Sequence, residues 1–214
     1  MKTLIRIGAL LACLAAGALA RADEAAAPQP AWCEQRVRTA DFAFAAYATQ
    51  EDDDWSTIHG IRVVDRKTGT TVQEIQVDDA LPTRREVAEL VQVVDANFDG
   101  RPDLAVPYND GGAGPNFVNQ FYLFDPRRGQ FALDEVLSEL SQPSIHPDAT
   151  ITSGSRGGCC QHSSARYRYI KGRLALVEEV DESISADGKW VETTTRRLVN
   201  GKWRRRFQRV PLRG

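Results

Sequence analysis

The sequence predicts an all-β fold: many short antiparallel strands forming a small propeller-like array or, alternatively, an irregular sandwich. Three observations lead there. Short runs alternate apolar with polar residues, hairpin-type turn pairs separate those runs, and almost nothing repeats with helical spacing. The chain has 214 residues, 42% hydrophobic and 26% charged, with a formal net charge of −2. That is globular composition, and it excludes a collagen-like, disordered or multi-span membrane protein. A pI near 6.0 gives no cationic field for phosphates, so no nucleic-acid partner is expected.

From the N-terminus, Lys2 and Arg6 precede an alanine- and leucine-rich run that ends in small-x-small sites at Ala18–Ala20 and Ala20–Ala22. Residues 1–22 therefore read as a cleaved secretory signal peptide and 23–31 as a flexible leader, which places the mature protein in the periplasm. Leu10-Leu11-Ala12-Cys13 reads alternatively as a lipidation site, the one route to a membrane. Cleavage after Ala22 removes Lys2, Arg6 and Arg21, leaving 24 basic against 29 acidic residues, a net −5. Residues 32–214 then form a single all-β domain without a Pro/Ser linker. Of its three cysteines, Cys33 is expected to pair with Cys159 or Cys160 in the oxidising compartment.

Strands are predicted over 41–48, 58–65, 71–77, 91–94, 104–106, 120–124, 150–153, 165–170, 173–180, 190–199 and 202–210. Lys67-Thr68-Gly69, Asp99-Gly100, Arg128-Gly129, Lys171-Gly172, Asp187-Gly188 and Asn200-Gly201 supply the turns. Asn200-Gly201 between alternating runs is the strongest of these hairpin signals. Helical character is confined to 83–90, where Thr83-Arg84-Arg85-Glu86 reads as a capping box, and to 133–140.

The stretch with most chemistry is Asp95-Ala96-Asn97-Phe98-Asp99-Gly100-Arg101-Pro102-Asp103. Side-chain oxygens fall at loop positions 1, 3, 5 and 9, with glycine at position 6. Calcium takes six to eight hard oxygen ligands, and this spacing turns successive oxygens inward about one point. Asp95, Asn97, Asp99 and Asp103 are the candidate side-chain ligands, and the Arg101 carbonyl is a main-chain one. An EF-hand is excluded, because position 12 is Val106 and strand-like runs flank the loop. The plain alternative is an Asp/Asn-rich turn with no ion.

The pattern Asp-x-Asn-x-Asp-Gly-x-x-Asp-Leu between strands resembles the calcium loops of FG-GAP repeats in integrin-type blades. The order of Asn97–Leu104, the glycine-rich stretch Asn109–Asn116, Phe121–Asp125, a Gly-x-Phe turn at 129–131, Ser153–Gly158 and Tyr167–Tyr169 narrows the likeness. It is similar to the periplasmic immunity proteins of bacteria-killing type IV secretion systems. That resemblance, over roughly residues 90 to 182, implies a calcium-binding, propeller-like inhibitor of a lysozyme-type effector. The expected partner is thus a peptidoglycan hydrolase whose cleft is occluded. Tyr108, Asn109 and Asp110, opening the glycine-rich stretch, are the candidate contacts.

Other features have plainer readings. Cys159, Cys160 and His162 invite zinc or copper, with only Cys33, His59 and His146 to complete the site, but export favours a disulfide. Glu51–Asp54 reads as a solvated loop or an acidic patch facing a cationic partner. From Arg196 onward there are eight basic residues and no acid, with Trp203, Arg205 and Phe207 alternating with Arg204, Arg206 and Gln208. Charges on both faces suit a protected edge hairpin, or an anionic wall or lipid contact. There is no His-Glu-x-x-His and no Gly-x-Ser-x-Gly, so no enzyme is expected. The second functional reading is an envelope calcium module with a structural or adhesive role.

Overall fold

The computed structural model describes residues 28–52, 55–110, 116–158 and 160–212. The residues predicted as signal peptide, Cys13, most of the predicted leader, the middle of the glycine-rich stretch and Cys159 lie outside the described residues.

Alternating runs joined by tight turns can only fold back on their neighbours, and the chain does this three times in succession. β1 (Ala31–Arg38), β2 (Phe42–Gln50), β3 (Ser56–Asp65) and β4 (Thr71–Gln76) form a first antiparallel meander. β5 (Gln92–Val94), β6 (Asp103–Asn109), β7 (Val118–Asp125) and β8 (Gln130–Leu133) form a second. β9 (Ser144–His146), β10 (Thr150–Arg156), β11 (Gln161–Ile170), β12 (Arg173–Ile184), β13 (Trp190–Val199) and β14 (Lys202–Pro211) form a third, of six strands. The fold is all-β, with three sheets in chain order and none closed on itself. At the β13–β14 turn, Asn200 and Gly201 take φ of 50° and 72°, the left-handed pair that a type I′ hairpin requires.

The middle sheet is buried on both faces because its strands alternate between two cores. Leu104 and Val106 of β6 and Tyr122 of β7 join Phe44, Ile58, Ile61 and Val63 of the first sheet. Ala105 and Phe121, one residue out of phase, join Leu137 and Ile151, with Tyr167 and Tyr169 of β11 packed on them. Polar clamps tie the layers. Gln73 Nε2 donates to the Phe131 carbonyl at 2.7 Å while its Oε1 accepts from the Phe131 N–H at 2.8 Å. The Tyr169 hydroxyl donates to Asp134 Oδ2 at 2.8 Å, spanning the middle and third sheets.

Three expectations are corrected. Thr83 bridges Ser56 as a strand-like residue and Glu86 is extended without a capping bond, so the capping box does not form; only a 3-10 turn, Val87–Glu89, remains of that helix. The helical reading of 133–140 shrinks to α1 (Glu135–Ser138), capped by Asp134, whose side chain accepts from the Leu137 N–H. Cys33 keeps a free thiol while Cys160 is disulfide-bonded, so Cys33 is not bridged to the pair. The physical reason is the layering: β1 belongs to the first sheet and Cys160 borders the third, with the middle sheet packed between.

Candidate functional site

The turn between β5 and β6 holds the residues singled out for calcium. It reverses the chain by placing Phe98 and Gly100 in left-handed conformations, at φ of 62° and 80°. Glycine adopts this freely; phenylalanine does not, and its ring is held by packing on the second core. With the backbone so folded, three of the predicted side chains turn inward. Asp95 Oδ1 accepts from the Asp99 N–H at 3.1 Å and Oδ2 from the Gly100 N–H at 3.0 Å. Asn97 Oδ1 accepts from the Asp99 N–H at 3.0 Å, and Asp99 Oδ1 from the Arg101 N–H at 2.9 Å. The Arg101 side chain is exposed, which leaves its carbonyl as that residue's contribution.

Asp103 is different in kind. It begins β6 opposite Val94 and is fully buried. Its Oδ2 accepts from the Ala96 N–H at 2.9 Å and its Oδ1 from the Phe124 N–H at 2.8 Å, and the Asn97 N–H also points at it. Burial nonetheless pushes its pKa up to about 6, with the nearby Asp99 carboxylate adding to the rise against the amides that lower it. Without an ion the carboxylate serves as acceptor for the Ala96, Asn97 and Phe124 amides. A cation in the turn would neutralise it, and hard oxygens are the donors calcium prefers, so the residues fit that ion. Among the described residues no three His, Cys, Asp or Glu side chains are gathered as a ready cage. Cation binding would therefore exchange some loop-amide bonds for metal bonds.

The predicted partner-contact residues lie elsewhere. Asp103 and Asn109 are the two ends of β6, about 20 Å apart at the rise of a strand. The β5–β6 turn and the Tyr108–Asp110 segment thus sit at opposite ends of the middle sheet. Tyr108 is half-buried against the first core, and its carbonyl accepts from the Leu81 N–H at 2.9 Å. Asp110 Oδ2 accepts from the Arg84 N–H at 2.7 Å. Arg84 stacks on Trp55 at 5.4 Å, and an open groove lined by Arg84, Arg85, Glu89, Asp110, Phe117 and Asn119 adjoins this end. Neither the groove nor the Arg84–Trp55 stack was visible in the sequence, because residues far apart in the chain form both.

Among the described residues the soft-metal candidates do not converge. His59 and His146 are held by Thr49 and Thr152, each at 2.8 Å, in the first and third sheets respectively. In the acidic loop, Glu51 accepts from the Thr57 hydroxyl and Asp52 from the Trp55 N–H, while Asp53 and Asp54 lie outside the described residues.

These features define a class: three consecutive antiparallel meanders with an Asp/Asn-rich turn in the middle one. A solved Xanthomonas protein, described as type IV secretion system related, shares the fold at a TM-score of 0.58 and 16% identity. The match covers 84% of this chain and 98% of that one. No family model matches the sequence, and neither does any curated protein.

Proposed function

We propose that this chain is a periplasmic immunity-type inhibitor that blocks a lysozyme-like peptidoglycan hydrolase by occluding its cleft, with calcium bound at Asp95, Asn97, Asp99, Asp103 and the Arg101 carbonyl. The observation that carries the calcium reading is the buried Asp103 carboxylate beneath an oxygen-lined turn. The fold shared with a type IV secretion system related protein supports an association with such a system, as do the export signal and the acidic mature charge. No chemistry is required of the inhibitor itself. A segment at the Tyr108–Asp110 end enters the cleft, and the ion fixes the far end of the same strand. Calcium therefore acts on inhibition through the rigidity of the middle sheet, and its loss should lower both the melting temperature and the inhibitory potency.

The test is turbidity loss of cell walls by lysozyme-like hydrolases of the same genome, with the signal-less protein added in calcium or in chelator. Potent inhibition of one hydrolase supports the reading. An absence of inhibition across the panel would leave the second reading, a calcium-binding envelope module.

A further inference from the structure

We propose that the free edge of β14 receives an acidic, extended segment of a partner protein as an added strand of the third sheet. β14 ends the six-stranded sheet, so among the described residues one side of its backbone has no neighbouring strand, and every one of its residues is exposed. Charge ladders lead to it from half-buried glutamates through exposed arginines and stop short. Glu179 of β12 pairs with Arg196 of β13, and Arg196 lies directly opposite Arg205 of β14. On the other face Glu178 pairs with Arg197, which lies opposite Arg204. In each row the glutamate answers the inner arginine and the outer one is left facing like charge, which is unfavourable across a strand pair. Among the described residues Arg204, Arg205 and Arg206 make no ion pair, and of the arginines on β14 only Arg209 does, with Glu192. Two adjacent carboxylates on a strand laid beside β14, one to each face, would complete both rows as acid–arginine–arginine–acid.

The choice of occupant follows from where the charges and rings stand. Trp203 and Phe207, 49% and 55% exposed, share one face with Arg205, while Arg204 and Arg206 occupy the opposite face. A membrane or a flat anionic surface meets one face only and would leave half the guanidinium groups in water. A second copy of this edge would set arginine against arginine. An added acidic strand instead reaches both faces at once, because its side chains alternate, and its backbone satisfies the open edge. Edge protection by charge alone would not expose two large aromatic rings.

The probe is a peptide matched to β14 in length, repeating Glu-Glu-Thr-Thr so that carboxylates fall on both faces of the added strand, and followed by fluorescence anisotropy and by amide hydrogen exchange of β14. Three comparisons accompany it: a peptide with proline for each threonine, a lysine–threonine peptide, and phosphatidylglycerol vesicles. Expected are salt-sensitive binding of the glutamate–threonine peptide and slower exchange along β14. The proline peptide and an Arg204→Glu/Arg205→Glu variant should each lose about tenfold in affinity. That variant relieves the Arg–Arg opposition and should melt no lower than the parent; if it does not fold, the peptide comparisons on the parent chain still decide. Equal binding of the proline peptide, binding of vesicles without the peptide, or no peptide binding at low salt would each overturn the proposal.

Discussion

The middle sheet and the outer half of the third sheet use the same antiparallel hairpins but hold together differently. β6 sends alternate residues into two separate cores, and five of its seven residues are buried. β14 buries none, and arginine–glutamate pairs mark the strands beside it. Apolar burial contributes roughly 25 cal/mol per Å², whereas exposed ion pairs contribute about 0 to 1 kcal/mol each. The middle sheet should therefore set the stability of the molecule, and the outer hairpin should be free to serve as a surface.

Truncating each region tests this contrast most strongly. Leu104→Ala removes a fully buried side chain shared by two sheets and should cost about 3 to 4 kcal/mol in denaturant unfolding. Phe207→Ala, on the exposed strand, should cost no more than about 0.5 kcal/mol. Comparable losses would break the comparison.

Next in size is the titration of Asp103. Its folded pKa of about 6 lies above the unfolded value of 3.8, so the folded chain holds that proton more tightly. The stability this contributes is fully present below about pH 4 and is lost as pH rises through about 6. In chelator, the stability difference between the parent chain and Asp103→Asn should change by roughly 2 to 3 kcal/mol between about pH 4 and about pH 7, the parent losing ground as pH rises. A difference that does not change with pH would mean the carboxyl is not desolvated as the fold places it.

Smaller effects sharpen the boundary between layers. Gln73→Ala breaks a two-bond clamp from the first sheet to the Phe131 backbone and should lower stability by about 1 to 2 kcal/mol. Gly201→Ala strains the left-handed residue of the β13–β14 turn and should cost about 1 kcal/mol or less. Hydrogen exchange should rise in that hairpin while the middle sheet keeps its protection.

Much of this architecture was legible in the sequence, for physical reasons. Val-Gln-Val-Val, Gln-Phe-Tyr-Leu-Phe and the runs flanking Asn200-Gly201 announce strands, because their alternation and turn chemistry agree. β1 escaped because its alternating charges resemble a solvated leader, and β8 and β9, at four and three residues, are too short to show a period. The Thr83–Glu86 capping box failed because Thr83 exchanges backbone bonds with Ser56 across the first sheet, a contact no local pattern encodes. Spacing placed Asp95, Asn97 and Asp99 correctly on one turn. It did not reveal that Asp103 is sealed beneath them, nor that Tyr108–Asp110 lies at the other end of the strand, because both depend on the sheet being assembled.

The central claim is that the turn over Asp103 is a cation seat, and calorimetric titration with calcium tests it most directly, alongside melting of the same samples. Calcium should bind the parent chain with one-to-one stoichiometry and raise its melting temperature, by a stability gain of about 2.7 kcal/mol at a hundredfold excess over Kd. Asp99→Ala, which removes an exposed loop carboxylate, should abolish both effects and leave the metal-free fold intact. No heat and no melting shift in the parent chain would contradict the claim, as would binding that survives unchanged in Asp99→Ala.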